Sequence, residues 1–141
     1  MIFRFLSKIT LVFFIGISAL AQTVTVKIIE TSDVHGAIFP FDLKENKEIN
    51  SSLARVTTYL KEQRADTNQI VFLLDNGDIL QGDPVVYYYN FEKTDTIHLY
   101  ADVMNFMKYD AATIGNHDIE TGHDVYDKFN KELNFPWLAA N

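Results

Sequence analysis

The chain has 141 residues, enough for one well-cored domain and too few for two. Its composition is that of an ordinary globular protein, 48% hydrophobic and 22% charged, which excludes a disordered or low-complexity chain. A net charge of −7 with no basic stripe excludes binding to a nucleic-acid backbone, and the absence of cysteine excludes disulfides, thiolate zinc sites and cysteine nucleophiles.

The first 21 residues have the three-part layout of a cleavable export signal. Arg4 and Lys8 form a positive start, Ile9 to Leu20 is apolar, and Ala19-Leu20-Ala21 gives a small-x-small cleavage pattern. The apolar run is about 12 residues, short of the roughly 20 that a bilayer span requires. Residues 1–21 are therefore read as a signal peptide and residues 22–141 as the mature domain, exported to the periplasm or the cell exterior. Removing the signal shifts the charge from −7 to −9.

Val24 to Ile29 is a β-branched run read as a strand, followed by a loop carrying Asp33 and His35. Asn50-Ser51-Ser52 supplies N-cap residues, after which Leu53, Val56 and Leu60 fall on one helical face. Ile70 to Leu74 is continuously apolar, the pattern of a strand covered on both faces, and it ends in Asp75-Asn76-Gly77-Asp78. Thr96 to Lys108 is predicted helical, with Ile97, Ala101 and Met104 on one side. A short strand over Ala111 to Ile114 ends in Gly115-Asn116-His117-Asp118. A helix over Thr121 to Leu133 and a strand starting at Trp137 complete the chain. His98 and His123 fall inside these helices and are read as ordinary helix residues.

Strand and helix alternate throughout, which predicts a mainly parallel α/β sheet covered by helices. In that architecture ligands collect beyond the carboxyl ends of the strands. Each of the first three strands ends in Asp, His or Asn. Carboxylate oxygen and imidazole nitrogen suit borderline divalent ions such as zinc or manganese. Asp33 and His35 stand at i and i+2, so both project from one side of an extended segment. Asp78 has two oxygens and can bridge two ions. Taken singly, each cluster also fits a turn or a helix cap. Their order on successive strand ends favours a shared site.

Ile29-Glu30-Thr31-Ser32-Asp33-Val34-His35-Gly36, Asp75 to Gly82 and Ile114 to Asp118 resemble the first three motifs of the calcineurin-like metallophosphoesterases. The exported 5′-nucleotidase and 2′,3′-cyclic-nucleotide 2′-phosphodiesterase branch is the nearest match. The resemblance implies the N-terminal part of a metallophosphatase sandwich and an enzyme that hydrolyses nucleotide phosphate esters through two divalent metal ions, by attack of metal-bound hydroxide. It implies that Asp33 and His35 bind the first metal, that Asp78 bridges and that Asn116 binds the second. His117 then stabilises the phosphoryl group and leaving oxygen. Its orienting acid in this branch is usually an Asp three residues on, where this chain has Glu120.

The family's later Gly-His-x-His motif does not occur in the sequence, and the one Gly-His pair, Gly122-His123, falls in the predicted helix where His123 is read as an ordinary helix residue. On that reading the chain is a fragment, completed by a missing C-terminal region or a separate chain. Two alternatives stay open: a 2′,3′-cyclic-nucleotide phosphodiesterase/3′-nucleotidase, and a catalytically incomplete fragment that binds metal or a partner. Tyr87-Tyr88-Tyr89 is read as packing rather than as a base-stacking platform.

Overall fold

The computed structural model describes residues 23–139; the proposed signal peptide and the cleavage point lie outside them. Four strands form one wholly parallel sheet in the order β1-β4-β5-β6: β1 Thr25–Thr31, β4 Gln69–Asp75, β5 Ala111–Thr113 and β6 Trp137–Leu138. Two further strands, β2 Phe41–Asp42 and β3 Lys47–Glu48, make a small antiparallel hairpin inside the first connection. Helix α1, Leu53–Ala65, links β1 to β4. A turn of helix α2, Pro84–Tyr87, a π-helical turn at Tyr88–Glu92 and helix α3, Leu99–Met107, link β4 to β5. A single-turn helix α4, Asn116–Ile119, and helix α5, His123–Glu132, link β5 to β6.

The helix boundaries follow local chemistry. Ser52 caps α1 by accepting a hydrogen bond from the Arg55 amide at 3.2 Å, which satisfies one of the orphan donors of the first turn. Three helix turns later Arg64 donates to the Met107 and Lys108 carbonyls at 2.6 and 2.7 Å, tying the end of α1 to the end of α3. Helix α3 starts at Leu99, later than the apolar periodicity predicts. His98 is its N-cap: the ring Nδ1 accepts from the Tyr100 amide at 3.3 Å. The ring is buried rather than displayed on a helix face. His123, in contrast, is an exposed residue at the first position of α5.

The core lies between one face of the sheet and the helices. Leu73 from β4 shares one buried cluster with Leu53 and Leu60 from α1, Tyr100, Met104 and Met107 from α3, and Phe129 from α5. The opposite face departs from the sequence reading. Val26 pairs with Ile70 and Ile28 with Phe72 across β1 and β4, and these four side chains are 41–64% exposed. The continuous apolar run predicts cover on both faces, yet among the described residues the helices cover one. Side chains alternate along a strand, so the run supplies apolar groups to both faces and leaves one without a partner.

Candidate metal centre

The carboxyl ends of β1, β4 and β5 point the same way because the sheet is parallel, and their loops are laced together. Asn76 donates to the Thr31 carbonyl at 2.8 Å, Asp33 to that of Gly77 at 3.1 Å, and His35 to that of Asp78 at 3.0 Å. Asp33, His35 and Asp78 all have left-handed backbone, with φ of 51°, 46° and 63°. Such residues cost free energy unless the surroundings over-determine them, and they cluster at functional sites.

His35, Asp78 and His117 come together: one ligand atom from each lies within 4.8 Å of the others. The His35 Nδ1 donates to the Gln81 carbonyl at 2.9 Å, so its Nε2 carries the free lone pair. The His117 Nδ1 donates to Glu120 Oε2 at 2.9 Å, an i,i+3 contact across the helical turn. That hydrogen bond is the main cause holding the exposed Glu120 carboxyl below its ordinary pKa, with smaller contributions from Gln81 and Asn116. The two imidazole rings stand edge to face, 5.2 Å between centroids.

Asp33 stands at the margin of this group. Its Oδ1 is 4.0 Å from His35 Nε2, its carboxylate is exposed, and Ser32 donates to its other oxygen. Asn116 is exposed at the start of α4, and its carbonyl accepts from the Glu120 amide at 3.2 Å. The structure therefore brings His35, Asp78 and His117 into one cluster, with Asp33 beside His35 and Asn116 beside Glu120. The sequence reading assigns His117 to the phosphoryl group; here it shares the cluster with two residues read as ligands.

Two glycines make this approach possible. A side chain on Gly115 would sit on the Asp78 carboxylate, and one on Gly77, where φ is 92°, would meet the Gly115 backbone 2.5 Å away.

The loops are braced from below by two carboxylates that sequence reasoning missed. Asp118 is fully buried. Its Oδ2 accepts from the Asp78 and Gly115 amides at 3.0 and 2.9 Å, and its Oδ1 from the Ile79 and Leu80 amides at 2.9 and 2.8 Å. Its place beside His117 gives the only signal, and that signal reads equally as a helix cap. Asp75 is 3% exposed, accepts from Thr31 Oγ1 at 2.6 Å and from the Gly77 amide at 2.9 Å, and is pushed up to about 6 by burial.

That shift has a sign. The folded pKa lies above the unfolded value of 3.8, so between about pH 4 and 6 the folded state holds more protons, and stability falls as pH rises through that window. The loss is on the order of 2–3 kcal/mol. Urea titrations of metal-free protein at pH 4.5 and 6.5 should show it, and Asp75→Asn should flatten the slope. An equal slope in that variant would contradict the assignment.

Beside His35 a cleft of about 420 Å³ opens between Phe39, Phe41, Lys44 and Gly82. Its walls are mostly apolar, the usual character of a small-molecule site.

Residues 26–141 match the calcineurin-like phosphoesterase family, and the chain belongs to it. It is 36% identical over 128 residues to the trifunctional nucleotide phosphoesterase protein YfkN of Bacillus subtilis, covering 86% of this chain and 9% of that protein. The crystal structure of calcineurin-like phosphoesterase YfkN superposes with a TM-score of 0.74 at 35% identity, over 84% of this chain and 37% of that one. The chain is 32% identical to a 2′,3′-cyclic-nucleotide 2′-phosphodiesterase/3′-nucleotidase of Yersinia enterocolitica, over 88% of this chain and 19% of that protein. It is 34% identical to the 5′-nucleotidase of Bos taurus, over 81% and 20% respectively. The chain thus spans a fifth or less of these curated relatives.

Proposed function

We propose that this chain supplies the first part of the active site of an exported phosphoesterase that hydrolyses nucleotide phosphate esters with divalent metal ions. The observation that carries the reading is the convergence of His35, Asp78 and His117 at the strand ends. The donor chemistry fits: the His35 imidazole, oriented with its Nε2 lone pair free, and the Asp78 and Asp33 carboxylates suit zinc, manganese or a similar ion. His35, Asp78 and Asp33 would hold one ion, and Asp78 with Asn116 a second. Divalent ions bound there neutralise phosphate charge and lower the pKa of a coordinated water.

The protein's own groups do the rest. Glu120 keeps the His117 Nδ1 proton in place, so Nε2 faces the cluster and, when protonated, gives a hydrogen bond to a phosphoryl or leaving oxygen. The clefts at the loops are open enough for a small organic phosphate.

The side chains of this cluster number fewer than two closed coordination shells need. We propose that further ligands come from polypeptide outside the described residues or from a separate chain. The uncovered apolar face formed by Val26, Ile28, Ile70 and Phe72 supports that, because contiguous exposed apolar side chains mark surfaces on which another segment or chain packs. Export rests on the sequence of residues 1–21.

The test is phosphate release by the full-length protein in manganese from AMP, 3′-AMP and 2′,3′-cyclic AMP. The reading expects turnover of AMP that chelator abolishes. Preference for the cyclic and 3′ substrates would select the phosphodiesterase/3′-nucleotidase alternative. Metal binding with no turnover of any of the three would leave a binding fragment in its place.

A further inference from the structure

We propose that the buried pair Asn90 and His98 positions the loop that carries Asp78, acting through the backbone of Leu80. The inference rests on the reading of Asp78 as a metal ligand for its functional meaning, though not for its geometry.

The loop from Gly77 to Gly82 is bounded by left-handed residues, with φ of 92° at Gly77, 63° at Asp78 and 126° at Gly82. A segment in these regions holds one shape only when its hydrogen bonds fix it. Asp118 fixes the donors, accepting from the amides of Asp78, Ile79 and Leu80. The Leu80 carbonyl has a different anchor: Asn90 Nδ2 donates to it at 2.8 Å. Leu80 is 0% exposed, so no bulk water replaces that bond if it is lost.

Asn90 in turn is locked. It sits in the π-helical turn Tyr88–Glu92, an irregularity that aims its side chain inward, and such turns recur at functional sites. Its Oδ1 accepts from His98 Nε2 at 2.9 Å, which fixes the amide's orientation so that the donor faces Leu80. The His98 ring is fixed at its other nitrogen too, since Nδ1 accepts from the Tyr100 amide at 3.3 Å, and the His98 amide donates to Glu132 Oε2 at 2.8 Å. Burial lowers the His98 pKa to about 4, so the ring stays neutral and keeps one donor and one acceptor near neutral pH. A continuous path of hydrogen bonds therefore runs from the N-terminus of α3 through His98 and Asn90 to Leu80, two residues from Asp78. Neither side chain touches the cluster. Both are positioning residues.

The experiment uses the full-length protein and two readouts. Without metal, amide hydrogen exchange at Asp78, Ile79 and Leu80 should accelerate at least about tenfold in Asn90→Leu, while the amides of Ala101 to Met107 in α3 keep their wild-type rates. With metal, manganese affinity should fall about tenfold, the scale on which outer hydrogen-bond partners tune metal sites. His98→Leu should reproduce both effects, the double variant should be no worse than either single one, and His98→Gln, which retains a donor toward Asn90, should restore exchange rates to within about threefold. Unchanged exchange at residues 78–80 in Asn90→Leu, or in His98→Leu, overturns the proposal whether or not metal binds. Accelerated exchange in a protein whose wild type takes up no manganese upholds the positioning role and overturns the metal reading instead.

Discussion

Asp78→Ala is expected to lower metal-dependent phosphate release by at least about a hundred- to a thousandfold, the scale of removing one electrostatic contact to the reacting group. Asp78 is the one carboxylate in the cluster with His35 and His117. Without it, two imidazoles face each other 5.2 Å apart with no anionic donor between them to attract a cation. Stability should change far less. Asp78 is half-buried, and its side chain accepts one backbone hydrogen bond, from His117 at 2.9 Å. The alanine variant also has to adopt a φ of 63°, which costs about 1–2 kcal/mol for a residue without a short polar side chain. Asp78→Asn separates the two effects. Asparagine tolerates left-handed backbone and can accept from His117, yet carries no charge, so it should keep the melting temperature and still lose turnover. Measuring both quantities in both variants decides it: an asparagine variant that retains activity would show that the site does not depend on the Asp78 charge.

Asp118→Ala is expected to cost about 3–5 kcal/mol of stability, the range for breaking a buried, hydrogen-bonded charged network. The carboxylate is fully buried and accepts four backbone hydrogen bonds between 2.8 and 3.0 Å, each of which alanine leaves without a partner in a dry interior. For a domain of this size that loss lowers the melting temperature by roughly 15 °C. Asp118→Asn should fall between wild type and alanine, because its amide oxygen can serve two of the donors while its NH₂ is forced against the others. Calorimetry on the three proteins checks the order. A melting temperature for Asp118→Ala within about 3 °C of wild type would show that the four bonds are replaced by water, contrary to the burial seen here.

The strand ends were legible because two independent periodicities agree there. β-branched and apolar runs mark β1, β4 and β5, and polar clusters interrupt each at the same end. A parallel sheet then needs nothing more to place Asp33, His35, Asp78 and His117 on one edge. The supports beneath them were not legible. Asp118 and Asp75 look like any other acid in a loop, and only tertiary packing turns them into buried acceptors. His98 falls in a helical periodicity that begins one turn too early, because Thr96 and Ile97 continue the pattern while the His98 ring takes the capping role. The hairpin of Phe41–Asp42 and Lys47–Glu48 has two residues per strand, too few to show an alternation. The π-helical turn over Tyr88–Glu92 falls in the tyrosine run read as packing. There Tyr87 and Tyr88 are largely exposed, and Asn90, with no apolar signal at all, points into the core. The open face of β1 and β4 illustrates a further limit. An apolar run is the pattern of a strand with apolar groups on both faces, and carries no information about which segment, if any, covers each face.

The central claim is that His35, Asp78 and their neighbours enclose a cation. Manganese-soaked crystals of the full-length protein, measured for anomalous scattering, address it directly. The account predicts a peak about 2.0–2.3 Å from both His35 Nε2 and an Asp78 carboxylate oxygen, the distances usual for divalent ions on nitrogen and oxygen. Ordered protein with manganese elsewhere, and no peak between those two residues, would contradict it.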